Sequence, residues 1–180
     1  LFVSTFLAVL AVGAVVGFVN GFFVAKFSLH PFIVTLSTQL ITYGVILWFF
    51  ALNGNNGQPI SGLSKEYKNF VGGEMFRLGG VAVPRYVLYA LILTALMWFI
   101  WNKTTFGKNM FAVGSNAEAA KVSGVNVFMT TVLVHTLAGA MYGYAGFIEG
   151  VRAGSVAPST GLNAECDAIA ACVIGGVSFV

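Results

Sequence analysis

Apolar runs long enough to cross a membrane alternate along this chain with shorter polar stretches. Residues 1–25 carry no charged side chain, and a hydrocarbon core about 30 Å thick needs only about 20 such residues. Lys26 to His30 makes a short turn. Pro31 then opens a second run, to Leu52, at the helix position that tolerates proline. Arg85 to Trp101 is a third, with Trp98 and Trp101 where aromatic belts sit. Val127 to Gly150 is a fourth, and a fifth apolar segment starts at Glu165. The pattern predicts an all-α, polytopic transmembrane bundle in one domain over residues 1–180, with four full spans and the beginning of another. Both ends fall inside apolar runs and Leu1 is not an initiator methionine, so further spans are expected on either side.

Between the spans, Asn53 to Pro84 opens with Asn-Gly-Asn-Asn-Gly and holds Lys65, Glu66, Lys68, Glu74 and Arg77. Turn residues are frequent and no period stands out, which predicts an irregular loop with room for one helical turn. Val151 to Asn163, with Pro158 and Gly161, reads as a second loop. The polar island from Asn102 to Asn126 is more legible. Ser115 and Glu118 have the spacing of a capping box, in which each side chain satisfies a backbone N–H at the helix start. Asn116 lies between them. Ala117, Ala119 and Ala120 favour helix, Lys121 follows, and Gly124 supplies a left-handed stop. Two turns are too short to be stable alone in water. Such an element suggests that something docks on it.

Small residues predict where spans meet. Gly13, Gly17 and Gly21 recur every four residues and line one helix face, where another helix can approach closely. Gly139 and Gly143, then Gly146, Gly150 and Gly154, offer similar faces. Asn20 sits beside the first stripe, as an interhelical hydrogen-bonding group or as a contact on a transport path. The second span carries Thr35, Ser37, Thr38, Gln39, Thr42 and Tyr43, a face too polar to point wholly at lipid.

Composition and charge sharpen the class. Hydrophobic residues make up 58% of the chain and charged residues 8%, against roughly 25% charged in a soluble domain. The net charge of +3 is scattered through loops, which does not suggest nucleic acid. Four spans place Lys26, Lys103, Lys108 and Lys121 on one side. Lys65, Lys68, Arg77, Arg85 and Arg152 fall on the other, so the positive-inside rule leaves orientation open.

Most chemical signatures dissolve on inspection. Gly107-Lys108 resembles the end of a phosphate-binding loop, but Asn102 stands where its first glycine belongs and Asn109 where magnesium needs Ser or Thr. Asn102-Lys-Thr104 fits a glycosylation sequon but abuts a span. His30 and His135 stand alone, and Cys166 and Cys172 point to different helix faces, so neither metal nor disulfide follows. Without a Ser/His/Asp grouping, nothing argues for an enzyme, and no catalytic residue is assigned. Glu149 and Arg152 have the spacing of a helix-surface ion pair. Glu165 and Asp167 stand at the mouth of the last segment, as interfacial anchors or as members of a translocation path with Asn20 and Thr38. An ion-coupled secondary transporter would need ionisable groups at the span centres, which are absent. A scaffold subunit would have spans that are lipid-like all round, unlike Thr35 to Thr42.

Two stretches then carry a resemblance. Gly114-Ser-Asn-Ala-Glu-Ala-Ala-Lys-Val-Ser-Gly124, followed by Glu165-Cys-Asp-Ala-Ile-Ala-Ala-Cys-Val-Ile-Gly-Gly-Val-Ser178, resembles the permease family of bacterial monosaccharide ATP-binding-cassette importers. Gly17-Phe-Val-Asn-Gly21 and Pro31-Phe-Ile-Val-Thr-Leu36 fit it further upstream, so it covers essentially all 180 residues. Trp101 to Asn109, with Ala119 to Asn126, looks most like the galactose/methyl-galactoside branch. Ala117 stands where members often have proline and Cys166 where they usually have leucine. The resemblance implies a multi-pass inner-membrane protein whose Ser115–Gly124 helix is cytoplasmic and docks into a separate ATPase subunit, which uses the ATP and magnesium. It implies that the Asn53–Pro84 and Val151–Asn163 loops face the periplasm and a sugar-binding protein. It further implies a second permease copy, with a monosaccharide passing along the dimer axis.

Overall fold

The computed structural model describes residues 2–52, 58–62, 65–78 and 81–177. Among them the chain runs α1 (Phe2–Phe27), α2 (Pro31–Leu52), β1 (Ile60–Ser61), α3 (Lys65–Gly72), β2 (Glu74–Leu78) and β3 (Val81–Pro84). It continues with α4 (Arg85–Lys103), α5 (Thr105–Ser115), α6 (Ala117–Val122), α7 (Val127–Ala153), β4 (Ser155–Val156) and α8 (Ala164–Ile174). Among the described residues four helices are long and apolar enough to cross a membrane: Val3–Phe27, Pro31–Leu52, Arg85–Lys103 and Val127–Ala153. At 1.5 Å per residue the 27 residues of α7 reach about 40 Å, and the 19 of α4 about 28 Å, barely the hydrocarbon thickness. These are the four spans read from the apolar runs. They form a polytopic helical bundle, to which four short strands are added at one end.

The centre of the bundle is the seam between α1 and α7, which run antiparallel. A Cβ added to Gly13 would land on the Gly139 carbonyl oxygen, and one added to Gly17 on the His135 carbonyl oxygen. At Gly21 it would come within 2.9 Å of the Val132 Cα. From the other side, Gly139 faces Gly13 and Gly17, and Gly143 faces Val9. The two backbones therefore touch directly, which only glycine permits. In lipid, close packing of this kind replaces the hydrophobic drive as the source of association. Asn20 and Val24 are buried on the same face.

The antiparallel seam sorts the loops. The Lys26 turn and the stretch from Thr104 to Asn126 lie at one end. At the other, α3 lies over the seam: Val71, with no exposed surface, packs with Phe147 and Val151, flanked by Phe6, Val9, Tyr67 and Tyr86. Tyr89 Oη donates to the Phe70 carbonyl (2.9 Å) and Arg85 to that of Asn69 (3.2 Å), fixing α3 to the start of α4. The expectation of an irregular loop over Asn53–Pro84 is thus corrected. Eight residues of helix are followed by a hairpin in which Glu74 pairs with Pro84 and Arg77 with Ala82. The helix is short and mostly polar, so its tertiary anchor, Val71, leaves almost no mark on the sequence. The Asn53–Gly57 run lies outside the described residues. Strand β1 pairs antiparallel with β4, Ile60 opposite Val156 and Ser61 opposite Ser155, which ties the two loops of this end together.

Candidate functional site

The polar island folds as two helices, not one. Thr104 caps α5: its side chain accepts from the Gly107 N–H (3.1 Å), and Gly107 is buried where a Cβ would strike the Ile100 and Trp101 carbonyls. Ser115, expected as the cap of the short helix, is instead the last residue of α5. Asn116 is the cap. Its extended backbone ends α5, donating to the Ala112 carbonyl, while its Oδ1 accepts from the Ala119 N–H (3.0 Å) to begin α6. Asn outcompetes the neighbouring serine because one extended residue must serve both helices, and either side chain caps well. Glu118 remains in the first turn of α6, without the reciprocal partner a capping box requires.

The C-terminus of α6 follows the expectation. Gly124 adopts φ +83°, its N–H bonds to the Lys121 carbonyl (3.1 Å), and Val125 N–H reaches that of Ala120 (3.0 Å). This is the paired-bond arrangement that terminates helices at a left-handed residue. Within α6, Ala120 is turned inward and is only 4% exposed, whereas Ala117, Glu118, Ala119 and Lys121 are exposed. Val122, 89% exposed, is the apolar group this loop offers outward. Sequence reasoning passed over it, because Val113 and Val125 in the same island look no different in sequence. A hollow of about 480 Å³ separates α6 from the end of α1 and the start of α7, with Glu118, Lys121, Asn126 and Thr131 on its walls.

A second candidate region lies within the spans. A groove of about 470 Å³ runs between α2 and the α1–α7 seam. Its floor is the glycine backbone and its surface is almost wholly apolar, although Asn20, Thr35, Thr42, His135 and Tyr142 are among the residues that line it. Two predicted path residues meet here: Thr38 Oγ1 donates to Asn20 Oδ1 (2.5 Å) and shares its proton with the Val34 carbonyl (3.0 Å). Thr35 and Ser37 bond back to carbonyls of their own helix, at Pro31 and Ile33. The polar face of α2 is therefore partly self-satisfied. Gln39 Nε2, next along, donates to Glu165 Oε1 (3.1 Å) in the first turn of α8. Asp167 sits in the same turn and is exposed. Asn20, Thr38, Gln39 and Glu165 thus form a row across α1, α2 and α8, with Gln39 the member whose role spacing alone did not reveal. His135 Nδ1 lies 2.9 Å from the Thr131 carbonyl. Glu149 and Arg152 make the expected surface pair (2.9 Å). Among the described residues no group of three His, Cys, Asp or Glu side chains could hold a metal ion.

Comparison with known proteins places this architecture. The chain is 47% identical over 173 residues to the galactose/methyl galactoside import permease of Haemophilus influenzae, covering 96% of this chain and 51% of that protein. Identity is 45% to the galactose/methyl galactoside import permease of Escherichia coli, with the same coverage. It is 37% over 169 residues to the fructose import permease of Rhizobium meliloti, covering 94% and 46%. The chain spans about half the length of these relatives. No solved structure matches it. The model of one family, described as the permease component of the branched-chain amino acid transport system, matches residues 1–180 from end to end, and the chain belongs to that family.

Proposed function

We propose that this chain forms part of the permease subunit of an ATP-binding-cassette importer that carries a monosaccharide, galactose or methyl galactoside, across the bacterial inner membrane. The observation that carries the reading is the 47% identity, over nearly the whole chain, to a permease of that specificity. Local structure supports it. The double-capped α6 is a small, stiff element that presents Val122 outward, a shape suited to a groove on an ATPase subunit. ATP and magnesium belong to that subunit and not to this chain. At the opposite end, α3 and the β1–β4 ribbon form the surface that meets a periplasmic sugar-binding protein. A second copy of the permease completes the passage. Closure of the ATPase pair pulls on α6, and α5 and α7, joined to it through Asn116 and Asn126, transmit the pull to the spans.

Reconstitution of the complete permease with its ATPase and binding protein in vesicles tests this. Labelled galactose should enter only with ATP, should be competed by methyl galactoside, and should be indifferent to collapse of ion gradients. Uptake without ATP that fails when an ion gradient is collapsed would establish a secondary transporter instead. A complex that moves no sugar under either condition would leave a scaffold subunit.

A further inference from the structure

The short helices of the polar island are joined to α4, and to each other, more tightly than to α7. Thr104 serves two helices at once: its hydroxyl donates to the Ile100 carbonyl of α4 (2.5 Å) and accepts from the Gly107 N–H of α5 (3.1 Å). Asn116 does the same at the next joint, donating its N–H to the Ala112 carbonyl of α5 and accepting from the Ala119 N–H of α6. Each joint is a single extended residue. The first is closed further by Gly107, the buried residue of α5. A Cβ there would strike the Ile100 and Trp101 carbonyls, so the backbone of α5 rests directly on the last turn of α4.

The link from α6 to α7 is built differently. Ser123, Gly124 and Val125 bond only back into α6, to Ala119, Lys121 and Ala120. Asn126 bonds only forward into α7, to Met129 and Thr130. Among the described residues no hydrogen bond joins the two sides of the Val125–Asn126 peptide, which borders the 480 Å³ hollow. Helix α5 also lies against α7, again with no hydrogen bond between them among the described residues.

Resting on the importer reading, we propose that α4, α5 and α6 form one bent lever, with Thr104 and Gly107 positioning its corner and the Val125–Asn126 peptide as its hinge. When the docked α6 is displaced, joints whose helices share a bonded residue turn as a unit, whereas a link with no shared bond absorbs the change in φ and ψ. The displacement is therefore delivered to α4, the span at the end of the stiff arm. Helix α7 stays with α1, because their touching backbones leave no room for either to turn alone. Thr104 and Gly107 act only through the angle they set between α4 and α5.

Spin-label distances in the complete importer carrying Cys166→Ser and Cys172→Ser test this, with labelled permease diluted in unlabelled permease so that only distances within one copy count. Leu91→Cys with Phe111→Cys reports α4 against α5, and Phe111→Cys with Leu133→Cys reports α5 against α7. Between the resting state and the state trapped with galactose, ATP and vanadate, the first distance should hold while the second shifts by about 3 Å or more. A first distance that shifts as much as the second, or a second that does not shift, would overturn the proposal. In the resting permease, adding Gly107→Ala should shift the Leu91–Phe111 distance, whereas Gly114→Ala, with nothing within 4 Å of the added carbon, should not. Identical distances in both variants would remove the corner. In an otherwise unaltered importer, Thr104→Val should lower the sugar moved per ATP by about fivefold while the ATPase stays bound, and Thr104→Ser, which keeps the shared hydroxyl, should stay within about twofold. Equal coupling in the two Thr104 variants would also overturn the lever. Absence of ATP-driven uptake by the unsubstituted importer would tell against the importer reading, whereas the Gly107→Ala distance, measured on the permease alone, reports on the corner.

Discussion

Helices α1 and α2 are consecutive, similarly long and similarly apolar, yet they are held in opposite ways. Against α7, α1 buries Gly17, Asn20, Gly21 and Val24, with main chain meeting main chain. In α2 only Phe50 is buried, and the middle of the helix is joined to neighbours by single side-chain hydrogen bonds. Both are long and apolar enough to cross a membrane. The difference lies in what each presents: glycine at four-residue spacing on α1, and on α2 the hydroxyls of Thr35, Ser37 and Thr38, which fold back on their own carbonyls. A seam built from absent side chains has no rotamers to rearrange, whereas a contact built from hydroxyl and amide groups can be exchanged for another. The comparison teaches that consecutive apolar spans can be held by backbone contact in one case and by single side-chain hydrogen bonds in the other.

The largest effect should come from filling the rigid seam. Gly17→Leu or Gly139→Leu places a branched side chain where a single carbon already collides with backbone of the opposite helix. Overpacking costs about 1–3 kcal/mol where side chains can yield, and here only the main chain is available to yield. Most of the protein should be lost from the monodisperse fraction after solubilisation. Val15→Leu, on a face that is 62% exposed, should be recovered like the unsubstituted protein. Equal recovery of Gly17→Leu and Val15→Leu would break the contrast at its stronger end.

Next in size is the same inward–outward contrast transferred to α6. Ala120 is packed against its own chain and Val122 projects from it. Ala120→Arg should therefore disorganise the loop itself, exposing it to proteolysis in the isolated permease. Val122→Arg should leave the loop protease-resistant yet prevent retention of the ATPase during purification and abolish ATP-driven uptake. If Val122→Arg retains the ATPase fully, the outward face of α6 is not where the subunits meet.

How much of this was legible beforehand follows from where each signal resides. The spans and the glycine seam were readable, because a run of apolar residues and a four-residue period are local properties of the sequence. The left-handed stop at Gly124 was readable for the same reason. The choice between Ser115 and Asn116 as cap was not, since both side chains suit the position and the decision depends on where α5 ends. Helix α3 was missed because its stability comes from Val71 meeting Phe147 and Val151, residues more than seventy positions away in sequence. The pairing of Gln39 with Glu165 was out of reach for the same reason, with 126 positions between them. Local chemistry could nominate Asn20, Thr38 and Glu165 individually, but only the fold aligns them.

A smaller effect separates the two possible caps. Asn116→Ala removes the acceptor at the start of α6 and should cost about 1 kcal/mol, the usual loss for an N-cap. Ser115→Ala should be close to neutral. Hydrogen exchange at the Ala119 amide provides the readout: faster by about fivefold in Asn116→Ala, unchanged in Ser115→Ala. A larger effect from Ser115 would restore the capping box and remove the junction role of Asn116.

The smallest effect belongs to the side of the comparison held by side-chain hydrogen bonds. Thr38→Val keeps the shape and the helix while deleting the hydroxyl that reaches Asn20. Hydrogen bonds between helices in membranes average about 0.6 kcal/mol in double-mutant cycles, because the separated helices find other partners. Folding stability in Thr38→Val should accordingly fall by about that amount, and Asn20→Ala by somewhat more, since Asn20 is buried in the seam and its loss also leaves a void. The double variant should cost less than the sum, by about the value of the shared bond. Ser37→Ala serves as the reference: its hydroxyl serves only its own helix, so its change should be additive with Asn20→Ala. Measured as unfolding equilibria in mixed micelles, strict additivity of Thr38→Val with Asn20→Ala would mean that the bond contributes nothing to holding α2, leaving Gln39 as the sole mid-helix attachment.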